Sequence, residues 1–77
     1  MYKAIAVLSP DYSFRNGEHI HSSPCETPEE ARAELVKYEH LASQIVVQEC
    51  DETGWPTTDR IRSEFTWRRK PGKKFKL

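Results

Sequence analysis

The stretch TPEEARAELVKYEHLA, residues 27–42, decides the fold. Thr27 can accept a hydrogen bond from the backbone N–H of Glu30 while the Glu30 carboxylate reaches back towards Thr27. Pro28 suits the first helical position, where its missing N–H is no loss, and Glu29 and Glu30 face the positive end of the helix dipole. A helix over residues 28–41 is predicted. At 100° per residue, Ala31, Leu35, Tyr38 and Ala42 fall within a sector about 60° wide, narrow enough to pack as one stripe on a sheet. Glu29, Arg32, Lys37 and Glu39 lie elsewhere on the wheel. Val36 falls among them, so it is the one apolar residue of the helix expected near solvent.

Such a helix needs a sheet to cover. On its N-terminal side, residues 2–8 read as a strand, because Ile5 and Val7 favour extended backbone and are opposed by Ala4, Ala6 and Leu8. Two apolar faces predict a central position. Ser9-Pro10-Asp11 and Asn16-Gly17 are turn signals, the second because both residues tolerate the positive φ of a tight hairpin, and a short strand is expected at 18–22. On the C-terminal side, Ile45 and Val47 oppose Val46, Gln48 and Cys50 in a strand over 45–50. Residues 51–59 read as a polar loop with Trp55 at its tip. Ile61, Ser63, Phe65 and Trp67 then alternate with Arg60, Arg62, Glu64 and Thr66, which predicts one regular strand over 60–67 with a core face and a wet face.

The order β-(β)-α-β-β belongs to the α+β class, and its simplest packing is two-layered, one helix on an antiparallel sheet of three or four strands. A chain of 77 residues holds one core. One compact domain is expected over 1–69, followed by a basic flexible tail over 70–77 that Pro71-Gly72 punctuates. Stability is marginal at this size, so a homodimer is admitted.

No run approaches the roughly 20 apolar residues of a bilayer span, and residues 4–8 are too short for a secretory leader, so a cytoplasmic location is expected. Cys25 and Cys50 are then expected as free thiols. Together with His19 and His21 they are the residue types that bind zinc, but zinc sites draw on two close ligand pairs and neither cysteine has a second thiol nearby. No metal is expected. Around Cys25, His19 and Glu26 there is no strained nucleophile turn, and Gly17, Gly54 and Gly72 are too dispersed to cradle a phosphate. The expectation is a non-enzymatic protein with no cofactor.

The formal net charge is +0, yet the charge is divided along the chain. Residues 1–67 hold twelve acids against six bases, and residues 68–77 hold six bases and no acid. Two candidate surfaces follow. Glu26, Glu29, Glu30 and Glu34 on or beside the helix, with Asp51, Glu52 and Trp55 on the loop, would present a negative surface and an aromatic anchor to a basic protein. Arg60 and Arg62 on the wet face of the last strand, continued by Arg68, Arg69, Lys70, Lys73, Lys74 and Lys76, would neutralise phosphates, with Trp67 or Phe75 stacking on an unpaired base.

The size, the β-α-β-β order and the acidic body look like the general type of small phage-encoded inhibitor that blocks a host nucleic-acid-binding complex. That likeness is one of composition. It implies a protein-interaction module whose acidic surface docks on a basic, nucleic-acid-binding protein. The alternative is a small nucleic-acid-binding protein that uses the last strand and the basic tail.

Overall fold

The structure is a computed structural model and describes residues 1–9 and 18–69, with the side chains of Asp59 and Ser63 left aside. The turn signals at 10–17 and the basic segment 70–77 lie outside the described residues. In chain order the elements are β1 (Tyr2–Val7), β2 (His19–His21), α1 (Pro28–Glu34), β3 (Gln44–Cys50), β4 (Pro56–Ile61) and β5 (Trp67–Arg68). One helix packs with a curled antiparallel sheet, a small α+β fold.

The sheet order is β2-β1-β3-β4, and β5 also pairs with β3. β1 is central as its two apolar faces predict, with Ile5 opposite His21 on one side and opposite Val46 on the other. Ala4 and Ala6 of β1 and Ile45 and Val47 of β3 form the core with Ala31 and Leu35 of α1, Ala42 and Cys25. Alanine at both β1 positions leaves room for the helix to approach closely. Ile5, Val7 and Val46 on the opposite face are buried too, together with Lys3 and Gln44. The short strand expected at 18–22 is present as β2.

The start of the helix follows the sequence. Thr27 Oγ1 accepts from the Glu30 N–H at 3.1 Å and donates to Glu30 Oε1 at 3.2 Å, so the capping box closes through the hydroxyl. The end does not follow. α1 stops at Glu34, Leu35 leaves helical geometry at φ −103°, ψ 4°, and Val36–Tyr38 forms a 3₁₀ turn. The N–H groups of Leu41 and Ala42 both donate to the Tyr38 carbonyl, at 2.9 and 3.0 Å.

Tightening to three residues per turn keeps Leu35 and Tyr38 on the core side while swinging the chain back to the sheet. There Ser43 donates from N–H and Oγ to the Val7 carbonyl. The stripe itself holds: Ala31, Leu35 and Ala42 are buried, Tyr38 packs against them, and Val36 is 54% exposed.

The regular strand over 60–67 is corrected. β4 begins at Pro56, inside the segment read as loop, so the connection is only 51–55. Cys50 faces Pro56 and Gln48 faces Ile61, then Ile45 faces Trp67 and Gln44 faces Arg68, with a 3₁₀ turn at Ser63–Phe65 between the two pieces. Thirteen residues, 56–68, therefore run beside the seven of β3, and the surplus goes into a bulge in β4 and the turn. Alternation cannot survive that mismatch. Phe65 and Trp67 reach the core, but Ile61, expected there, is 37% exposed. Gln48 Nε2 donates to the Thr58 carbonyl at 2.9 Å across the bulge, and the Arg62 N–H donates to the Val47 carbonyl at 2.7 Å where the chain regains β3. Among the described residues, no helix is long and apolar enough to cross a membrane.

Candidate functional site

The loop between β3 and β4 is built by one carboxylate. Asp51 Oδ1 accepts from the Thr53 N–H at 2.9 Å, Thr53 Oγ1 at 2.6 Å and the Trp55 N–H at 3.0 Å. The Asp51 N–H donates to the Trp55 carbonyl and the Gly54 N–H to the Asp51 carbonyl. These donors, the Thr53 side chain first, hold the Asp51 carboxyl below its usual range. Gly54 takes φ +89°, which a side-chain-bearing residue adopts only with strain. The loop is closed on itself, and Trp55 is left 74% exposed.

The same loop lies against the chain entering α1, since a Cβ placed on Gly54 would sit 3.6 Å from Pro24 Cγ. This contact brings Asp51 and Glu52 beside the segment that carries Glu26. The entry segment is tied down in turn by Glu34, whose Oε1 accepts from the Ser23 N–H at 3.1 Å and whose Oε2 accepts from the Cys25 thiol at 3.2 Å. Cys25 and Tyr2 exchange two backbone hydrogen bonds of 2.8 Å, which fastens the segment to β1.

Burial first, and then the Glu34 contact, push the Cys25 thiol up to about 11. It stays neutral and poorly nucleophilic at ordinary pH. Glu34 is held below its usual range, chiefly by the thiol hydrogen bond. Glu26, Glu29, Glu30 and Glu52 are exposed and form no ion pair among the described residues.

The arginines are differently placed. Arg62 bonds Glu64 from Nε at 2.7 Å and from Nη2 at 2.6 Å, approaches Glu49 at 3.5 Å, and donates to Tyr2 Oη at 3.4 Å. Its guanidinium lies 5.6 Å from the Tyr2 ring centre and 5.8 Å from that of Phe65. The Glu64 contact raises its pKa further. Arg69 donates to the Glu39 carbonyl at 2.6 Å and the Ala42 carbonyl at 3.2 Å, so it caps the turn after α1.

Arg69 and Arg32 lie 5.8 and 5.9 Å from the Trp67 ring centre, and Arg32 is ion-paired with Glu39. Arg68 donates to Gln44 Oε1 at 3.1 Å. Arg60 is exposed, and with Glu49, Thr58 and Arg62 it lines a groove of about 520 Å³. Lys70, Lys73, Lys74 and Lys76 lie outside the described residues.

Cys25 and Cys50 are free and buried, and His19 and His21 lie on the short strand β2. Burial, then Lys3 and His19, lower the His21 pKa. Among the described residues, no three His, Cys, Asp or Glu side chains converge as metal ligands.

No family model, characterised protein or solved structure matches the chain.

Of the residues singled out in the sequence, the structure brings the loop of Asp51, Glu52 and Trp55 against the segment that leads to Glu26, through Gly54 and Pro24, while Arg62 turns to Tyr2, Glu49 and Glu64. Two roles went unseen. Glu34 bonds the segment before α1, and Arg62 and Arg69 hold the fold. The only advance signal for either is a carboxylate nine residues after a cysteine and an Arg-Arg pair after a tryptophan, neither of which is specific.

Proposed function

We propose that this chain is a small non-enzymatic protein-interaction module, akin to phage-encoded inhibitors, whose acidic end docks on a basic, nucleic-acid-binding protein. The observation that carries this reading is Trp55, an exposed indole on a loop that Asp51 has already ordered. An apolar ring of that size gains much by burial, and a pre-ordered loop loses little freedom on binding. Glu52 on the same loop, and Glu26 and Glu30 at the entry to α1, lack cationic partners among the described residues, so a cationic surface meets complementary charge. Asp51 and Glu34 act one step back, by shaping the loop and the entry segment. In this reading the domain is two-layered, and the outer face of α1 and the loop are both left for the partner.

The test is capture from a native cell extract by the full chain and by a Trp55→Ala, Glu26→Lys, Glu52→Lys variant, over a salt series. The expected result is a basic protein that the variant loses and that salt releases. An identical captured set for both proteins overturns the reading.

The rival use of Arg60, Arg62, Arg68, Arg69 and the lysines of 70–77 on nucleic acid has the groove beside Arg60 in its favour. Against it stands Arg62, whose charge is already matched by Glu64 and Glu49. Gel retardation of a labelled duplex at low ionic strength, abolished by deleting residues 70–77, would favour the rival.

A further inference from the structure

Resting on the reading of a basic protein partner, we propose that the groove between α1 and the Ser63–Phe65 turn is a second docking site. Its occupant is an aliphatic side chain of that partner with a lysine or arginine beside it. The groove is shallow and open, holds about 330 Å³ and is lined by Glu29, Arg32, Ala33, Val36, Glu39 and Phe65. That is the lower end of the roughly 300–1,000 Å³ of ligand clefts, enough for one or two side chains. Glu29 and Ala33 lie four apart on the exposed side of α1, and Val36 opens the 3₁₀ turn that follows it and lines the same groove. Ala33 is small, Val36 is exposed, and Phe65 presents the part of its ring that the core leaves uncovered.

Charge chooses among occupants. Arg32 is neutralised by Glu39 and lies over Trp67, whereas Glu29 forms no ion pair among the described residues. The rim is therefore net negative and runs on into Glu26 and Glu30 at the start of α1. A purely apolar occupant would desolvate Glu29 with nothing in return, and an acidic one would be repelled. An aliphatic residue next to a cation satisfies both the floor and the rim.

The test uses the full chain labelled with ¹⁵N and titrated with the acetylated peptide Lys-Leu-Leu-Lys amide, with Glu-Leu-Leu-Glu and Lys-Gly-Gly-Lys as controls. Amide shifts centred on Ala33, Val36 and Phe65 are expected for the first peptide alone. Affinity should fall about tenfold or more in Val36→Lys and about two- to fivefold in Glu29→Gln. Both positions are exposed, so both variants fold, and Trp55→Ala should leave this binding unchanged.

Shifts confined to Trp55 and its neighbours overturn the second site while leaving the acidic end intact. Equal response to the acidic or the glycine peptide also overturns it. In a further arm, Val36 signals that move on deletion of residues 70–77 assign the groove to the chain's own end. Signals that move with protein concentration alone assign it to a second copy, and either result overturns the proposal.

Discussion

Trp67 and Trp55 are the two tryptophans of the chain, and they sit in opposite surroundings. Trp67 packs against the core, flanked by the guanidinium groups of Arg32 and Arg69, which themselves bind Glu39 and the carbonyls that end the turn after α1. Trp55 stands in solvent on a loop whose carboxylates, Asp51 and Glu52, form no ion pair among the described residues. Around Trp67 the cations are engaged within the fold, Arg32 by Glu39 and Arg69 by the carbonyls of Glu39 and Ala42. Around Trp55 one sign is left over. Similar residue types thus serve stability in one region and leave a surface open in the other, and it is the second that the proposed docking uses.

This contrast is easiest to break at Trp67. Replacing it by alanine should lower stability by about 3 kcal/mol, the bottom of the range for a large aromatic because the ring is only partly buried. Urea unfolding followed by far-ultraviolet circular dichroism measures it, and a loss as small as that expected for Trp55 would erase the difference between the regions.

A pH series probes the segment before α1. The Cys25 thiol is raised from 9.0 to about 11, so the folded state holds that proton more tightly than the unfolded chain. Its contribution is complete below pH 9 and is lost as pH rises towards 11. The urea midpoint should fall across that window in the natural chain and vary less in Cys25→Ala.

Arg69→Ala removes two hydrogen bonds from a charged group to backbone carbonyls, and a loss of about 2 kcal/mol is expected in the same assay. Gly54→Ala should cost about 1 kcal/mol through the positive φ alone, because the added methyl meets Pro24 at ordinary contact distance. Smallest of all, Trp55→Ala should change stability by no more than about 0.5 kcal/mol while weakening partner capture. A larger loss would mean that Trp55 belongs to the core.

The parts of the fold that were legible are those fixed by near neighbours in the chain. The Thr27 cap, the core-facing stripe of Ala31, Leu35, Tyr38 and Ala42, the exposure of Val36, and the alternation in β1 and β3 all follow from residues within a few positions of one another. The helix end and the last strand were misread because distant partners override local pattern there. Alternation over 60–67 is regular in sequence, but the edge of β3 available to it is shorter than the chain that must pass along it. Likewise the helical period continues past Leu35, yet Ser43 has to reach the Val7 carbonyl, and the tighter turn brings it there.

For the candidate site, the sequence by itself determined that an acidic body would precede a basic end and that a tryptophan would fall in a polar connection. Which charges remain available was decided only by tertiary structure. Arg62 meets a tyrosine 60 positions away, Arg69 caps a turn 30 positions away, and Gly54 settles against Pro24. Charges cancel according to distance in space, and spatial neighbours so far apart along the chain are set by how the sheet closes rather than by any pattern of adjacent residues.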